Sequence, residues 1–504
     1  MPVRNDPGNT EGRPSGGLRE VWDTRSQRAA GEAVHHQFWI WVECANMPAP
    51  YRIRPARRVA RTHHTRFPPG TGGGRTAGVR TRPTEEHTIS APRPPRALVL
   101  LTALTACAAL AAGATCLPAA ARPASGGAPG PASGATRNVA YRGHTFTVPA
   151  DWQVVDLTAD PTACVRFDRH AVYLGDPAGN QDCPARVTGR TEALWVRPAT
   201  TTKAAVTENR TAHLFHATAA AEGIAVTAPY RDDRATVERV LDSAGLPVAT
   251  ARTETADPVT DPAQSVPALP ADATAHRGKG FDTCAAPGQS AMDAWKAGSP
   301  YGAVGIYIGG VNRGCAQANL TADWVRTQYT KGWRVLPLYV GPQPSAGAGS
   351  CADDCAAITD PAAQGRAAAE DAAAQAGALG LGKGAVLYND LEQYTPGAAV
   401  TARVLGYLEA WTGRLHELGY RSGAYGSVSS LVADLVGNAT GTTLPDVIHF
   451  AHWNDEAVTT DAALPAALWA DGQRVHQYAG DRTETYGGAK INIDRDQLDV
   501  GTGA

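Results

Sequence analysis

From residue 278 to the C terminus, β-prone runs alternate with segments of helical periodicity. This alternation constrains the fold more than any other feature of the 504 residues. The runs fall at 280–284, 303–308, 334–340, 385–388, 422–425, 447–451, 475–478 and 491–493, with helix candidates at 322–331, 362–378 and 398–418. In the last helix candidate, Leu405, Leu408, Trp411, Leu415 and Leu418 recur at three- and four-residue spacing, which predicts one buried stripe. Eight strands with mostly helical crossovers predict an α/β fold, a (β/α)8 TIM-like barrel over 277–504. A doubly wound open sheet is the competing topology, but no glycine-rich phosphate loop follows the first strand.

A barrel of that kind collects its functional groups at the C-terminal ends of its strands. Those ends carry Asp282, Tyr339, Asp390 with Glu392, Tyr425, His452-Trp453-Asn454, Gln477-Tyr478 and Asp494-Arg495-Asp496. Strand side chains alternate faces, so Asp390 and Glu392 project to one side, roughly 7 Å apart by the strand rise. Paired carboxylates are the minimum equipment for splitting a glycosidic bond. Taken singly, each residue has a structural explanation: solvated acids at a strand end, rim packing for Tyr339 or Trp453, a helix cap for Asp282. Acids and aromatics gathered at one mouth suit a carbohydrate, with rings stacking on sugar faces and carboxylates bonding hydroxyls.

The upstream half divides by composition. Charge is nearly balanced, at a formal −2 and a pI near 6.7, and gives no footprint for a nucleic-acid partner. Residues 1–92 are rich in Arg, Pro, Gly and Thr and read as a disordered or mis-annotated extension. Residues 93–121 join a basic start (Arg93-Pro-Pro-Arg96) to an uncharged run and a small-residue exit at Ala119-Ala-Ala121, the pattern of a signal peptide. Its distance from Met1 suggests a downstream start, for which Val79 is a candidate codon. Leu104-Thr-Ala-Cys107 also fits a lipobox, and the run is long enough to persist as an anchor; a membrane would be engaged only through these. All three readings put the remaining chain outside the cytoplasm, secreted, wall-associated or anchored.

Six cysteines follow the signal, and an even number in an exported chain implies disulfides. Proximity favours Cys164–Cys183, Cys284–Cys315 and Cys351–Cys355, with other pairings open. Without a CxxC pair or histidine cluster, neither a metal nor a cofactor is expected. Residues 122–137 and 250–276 read as linkers, flanking a small, mainly β domain at 138–249 with one helix near 232–244. No catalytic constellation is legible in that domain; Asp168 and His170 fit structural roles.

The strand-end set Gly280-Phe-Asp282, Tyr388-Asn-Asp-Leu-Glu392, Tyr425-Gly-Ser427, His452-Trp453, His476-Gln-Tyr478 and Ile493-Asp494 resembles that of the family-25 lysozymes. Gly280-Phe-Asp-Thr-Cys284 and Gly305-Ile-Tyr-Ile-Gly-Gly310 resemble more closely an actinobacterial relative, the secreted glycoside hydrolase-like domain of unknown function 1906. The resemblance covers 278 to about 500. It implies a hydrolase of cell-wall glycan, peptidoglycan or another N-acetylated polysaccharide. Glu392 would be the general acid, and Asp390 would orient the substrate amide or stabilise charge. Asp282 and Asp494 would complete the acidic ring, with Tyr339, Tyr425, Trp453, Gln477 and Tyr478 binding substrate. Cys284, and Cys351–Cys355 after the third strand, lie beside the mouth and could narrow it. The alternative is a barrel that binds wall glycan without turnover; adhesion or assembly through the upstream domain is a third option.

Overall fold

The computed structural model describes residues 134–503, apart from 200–202, 220–222, 255–265, 345–350 and 352–354. The N-terminal extension, the signal-like run with Cys107, most of the first proposed linker and residues 255–265 of the second lie outside the described residues. The described residues belong to one compact unit.

The upstream part opens with a hairpin, β1 (Thr136–Tyr141) and β2 (His144–Pro149), turned by Arg142 and Gly143, both at positive φ. Next come β3 (Gln153–Asp156), β4 (Ala171–Leu174), β5 (Leu194–Pro198), β6 (Ala205–Asn209), β7 (Leu214–Ala219) and β8 (Ile224–Pro229). Helix α1 (Arg234–Ser243) and strand β9 (Arg252–Glu254) follow, and β3 to β9 build one sheet in the order β3-β4-β5-β8-β7-β6-β9. Asp233 caps α1 by accepting from the Thr236 amide, and Val237, Val240 and Leu241 turn inward into the core around Phe146, Val172 and Phe215.

The C-terminal part is a closed eight-stranded barrel, but not the alternating (β/α)8 barrel expected from sequence. Its strands are β10 (His276–Asp282), β11 (Ala303–Gly309), β12 (Arg334–Tyr339), β13 (Val386–Asp390), β14 (Arg421–Ser427), β15 (Val447–Ala451), β16 (Gln473–Tyr486) and β17 (Ala489–Val500). Helices α2 (Gln289–Gly298), α3 (Ala322–Thr330), α4 (Pro361–Ala378) and α5 (Ala398–Leu418) link the first five strands, and the short α6 (Ala433–Gly437) precedes β15. From there the pattern breaks. No helix separates β15 from β16, and β17 runs antiparallel to both β16 and β10.

The reason is local. Only Gly487 and Gly488, both at positive φ, separate β16 from β17. Two residues can close a hairpin, whereas a parallel return needs a crossover of about a dozen or more. The antiparallel register still places Asp494 opposite Asp282 and Asp496 opposite Gly280.

Alternation along the strands sorts the core. Ala303, Leu336, Leu338, Val340, Val386, Val447, Val475, Leu498 and Val500 pack together inside the barrel. Phe281, Ile306, Val335, Leu387, Ile448 and Ile493 face the other way and pack with the helices around Trp295, Trp333 and Trp411. Helices α4 and α5 cross closely at Gly365, where a Cβ would come within 2.3 Å of the Tyr407 carbonyl.

Candidate functional site

Above the apolar filling, the barrel interior turns acidic. Asp282 closes β10, Asp390 closes β13, Glu392 follows two residues later, and Asp494 and Asp496 project inward from β17; all five are buried. Strand parity explains the set. Asp390 shares the inward face with Tyr388, while Asn389 turns outward and donates to the Tyr407 hydroxyl at 2.9 Å.

Gln477 on β16 ties the mouth together. Its Oε1 accepts from the Tyr425 hydroxyl and from Trp453 Nε1, each at 2.9 Å, and its Nε2 donates to Asp282 Oδ2 at 2.9 Å. Tyr307 donates to Asp282 Oδ1 at 3.2 Å. Gln343 fixes the Asp390–Glu392 turn from both sides, donating to the Asp390 carbonyl at 2.7 Å and accepting from the Glu392 amide at 2.8 Å.

Crowding governs the protonation of this cluster. Burial, then the neighbouring Asp496 and Asp494, push the Asp282 carboxyl well above its ordinary range. Burial, Glu392 and Asp282 do the same to Asp390, and burial and Asp494 to Asp496. Asp494 is also raised by burial, though Arg186 opposes the shift. Burial lowers His449 to about 3, so the ring that meets Asp496 Oδ1 at 3.1 Å is neutral.

Asp282, His449 and Asp496 bring ligand-type atoms within 4.8 Å of one another. Tyr307 and Gln477 already bond the two Asp282 carboxyl oxygens. A second trio, Cys164, Cys183 and Cys315, has its sulfurs in disulfides: the bonds are Cys164–Cys183, Cys284–Cys315 and Cys351–Cys355.

A cavity of about 520 Å³ meets this cluster at Glu392, lined also by Gln393, Tyr425, Ser427, Ser429, His452 and Trp453, and by Arg186 from the upstream loop between β4 and β5. Glu392 is 6% exposed and Trp453 48%. Arg186 Nη1 donates to Asp494 Oδ2 at 3.0 Å, its Nε lies 3.9 Å from Glu392 Oε1, and its guanidinium sits 4.7 Å over the Trp453 ring. Thr188 donates to Glu392 Oε1 at 2.7 Å.

The structure brings together Asp282, Asp390, Glu392, Asp494, Tyr425, Trp453 and Gln477 from the sequence-derived set. It does not bring in Tyr339 or Tyr478. Tyr339 points outward between the barrel and its helices, 5.7 Å from the Trp411 ring, and donates to Asp371 at 2.8 Å. Leu338 and Val340 hold the inward positions on either side of it. Tyr478 follows inward-facing Gln477 and lies instead beside His476, at 6.2 Å. Residues 184–190, next to Cys183, bring Arg186 to this cavity, while most of the Cys351–Cys355 loop expected to narrow the mouth lies outside the described residues. Sequence reading missed Arg186, Thr188, Tyr307, Gln343 and His449. Period-two parity flags Tyr307, which shares a face with Gly305 in β11, but nothing in the sequence links Arg186 or Thr188 to carboxylates more than two hundred residues away.

Residues 293–498 match the family described as Rv2525c-like, glycoside hydrolase-like domain. The barrel is similar to a glycoside hydrolase-like domain. Among solved structures, one described as the 1.07 Å crystal structure of an uncharacterized B. stearothermophilus protein aligns at 20% identity. That alignment covers 44% of this chain and 95% of the other, with a TM-score of 0.30. No curated protein matches.

Proposed function

We propose that this is an exported glycosidase acting on cell-wall glycan, peptidoglycan or another N-acetylated polysaccharide, through the glycoside hydrolase-like barrel. The observation that carries the reading is the position of Glu392, on the wall of the open cavity and backed by Asp390. Burial and the neighbouring Glu392 and Asp282 favour a retained proton at Asp390, so the acid pair is equipped to hand a proton to a leaving oxygen. Glu392 is the member on the cavity wall and would be the general acid toward the leaving oxygen, with Asp390 behind it orienting the substrate amide or stabilising charge. Asp494, paired with Arg186, is the carboxylate placed to supply negative charge toward a developing oxocarbenium ion, and Asp282 completes the acidic ring. The resemblance to family-25 lysozymes and to domain of unknown function 1906 supports the same assignment.

Three disulfides are consistent with a location outside the cytoplasm, and among the described residues no helix is long and apolar enough to cross a membrane. A second reading, glycan binding without turnover, has its own support. Thr188 and Arg186 already engage Glu392 Oε1. The test is reducing-end release from defined peptidoglycan and N-acetylated amino-sugar polymers by the full chain and by Glu392→Gln. Loss of about 100-fold or more in the variant is expected for removal of a general acid. Equal background release from both, with glycan binding retained, would replace the hydrolase reading with the binding one.

A further inference from the structure

The barrel mouth is not made by the barrel alone. The segment 184–190 leaves Cys183, whose disulfide to Cys164 closes a 19-residue separation, and runs along the loop that follows β11. That loop is bonded on both sides by upstream backbone. Phe167 donates to the Gly314 carbonyl at 2.7 Å and Ala316 to the Val165 carbonyl at 3.0 Å. On the other edge, Gly314 donates to the Val187 carbonyl at 3.2 Å and Gly189 to the Asn312 carbonyl at 2.9 Å. Arg190 is buried at the same seam, donating to the Arg313 and Ala212 carbonyls at 2.6 and 2.9 Å. The two disulfides meet there, with Cys164 and Cys315 sulfurs 4.0 Å apart. Buried, bonded on both edges and crosslinked on both sides, this seam has the construction of a permanent joint.

We infer that the glycan site is a two-part site, in which Arg186 is the positioning residue that counters the charge of the barrel's carboxylates and forms one wall of the cavity, with Thr188 orienting Glu392. Five buried acids converge on the mouth, and the Arg186 guanidinium stands among them, paired to Asp494, near Glu392 and over Trp453. The charged or titratable groups around it are Glu392 after β13, Tyr425 on β14, His452 after β15, Asp481 on β16 and Asp494 on β17. Asp282 and Asp390 lie deeper, and Arg166 and Asp168 line a cavity on its far side. Without this cation the cluster loses the positive charge that opposes the upward push on Asp494, Asp390 and Asp282, leaving the Asp481 amide on Asp494 and Gln477 on Asp282.

The consequence for pH has a definite sign. A carboxyl raised by the folded state binds a proton there at pH values where the unfolded chain has released it. Stability therefore falls as pH rises from the ordinary carboxylate range, about 4, toward the raised value. Removing Arg186 raises these carboxyls further, so it costs more at pH 7 than at pH 4. It also moves the pH–activity profile upward.

The activity readout rests on the hydrolase reading above, whereas the stability readout does not. Full-length wild type, Arg186→Gln and Arg186→Lys would be compared for reducing-end release across pH, and for melting midpoint at pH 4 and pH 7. The expected result for Arg186→Gln is a profile displaced to higher pH, at least tenfold lower activity at the wild-type optimum, and a larger loss of midpoint at pH 7. Arg186→Lys keeps the profile in place. A midpoint loss equal at both pH values, with an unmoved profile, would reduce Arg186 to a docking contact and overturn the inference. A rise in activity for Arg186→Gln would make segment 184–190 an obstruction and overturn it as well. If wild type releases no reducing ends, the hydrolase reading fails, and the pH-dependent midpoint difference alone decides whether Arg186 compensates the cluster.

Discussion

Replacing Gln477 with Leu tests whether the mouth is held by a closed hydrogen-bond network. Leu keeps nearly the same volume, so packing inside the barrel changes little. What is lost is one amide with three partners: the Tyr425 hydroxyl, Trp453 Nε1 and Asp282 Oδ2, each at 2.9 Å. Trp453 is half exposed and recovers its bond from water, but Tyr425 and Asp282 are buried. A buried polar group left without a partner costs about 1–3 kcal/mol, so the two together predict a loss of about 2–6 kcal/mol. Asp282 keeps the bond from Tyr307, which favours the lower half of that range. The assay is equilibrium urea unfolding of the oxidised full chain, followed by tryptophan fluorescence and circular dichroism, with the slope unchanged. A loss below about 1 kcal/mol at unchanged slope would mean that water replaces the amide, and would refute the view of this network as dry and closed. Gln477→Glu sharpens the test. It keeps the acceptor for Tyr425 and Trp453 but sets a carboxyl against Asp282, so its penalty should grow as pH rises.

Other perturbations follow the same logic. Asp390→Asn removes a carboxyl that burial, Glu392 and Asp282 hold well above its ordinary range; the native state should gain stability near pH 7, and the gain should vanish below about pH 4, where both states are protonated. Urea midpoints across pH measure this, and a gain independent of pH contradicts it, while reducing-end release should fall at least tenfold. Tyr339→Phe leaves Asp371 short of a buried donor and should cost about 1–3 kcal/mol in denaturant unfolding. Its kcat and KM should stay within about twofold of wild type, since the ring faces the helices; a raised KM would return Tyr339 to the substrate site. Gly314→Ala places a Cβ 2.5 Å from Val187 Cγ1 and 2.6 Å from the Val187 carbonyl oxygen. It should cost about 1–3 kcal/mol and speed hydrogen exchange at the Gly189 amide, which unchanged exchange would contradict.

Asp282, Asp390 and Glu392 were legible because they lie at or just past the ends of short apolar strands, where period-two parity fixes the face. Asp390 follows Tyr388 inward, and Asp282 follows Gly280. The same parity, applied strictly, separates Tyr339 from Leu338 and Tyr478 from Gln477; reading strand ends without it put both tyrosines in the mouth. The last strand was misread for a different reason. Tyr486-Gly-Gly-Ala489 carries a hairpin signal, but the alternation upstream of it favours a parallel return, and the turn chemistry overrules that pattern.

By itself the sequence determined the eight strands, the residues that give the barrel mouth its charge, and the cysteine pairs that local spacing favours. These follow from side-chain alternation and short-range geometry, which one chain segment encodes alone. Only the tertiary structure decided the direction of the final strand. It alone set Arg186 and Thr188 against Asp494 and Glu392, across 308 and 204 residues. Such contacts depend on where two separately patterned parts dock, and docking is fixed by complementary backbone edges and buried seams that no local period records.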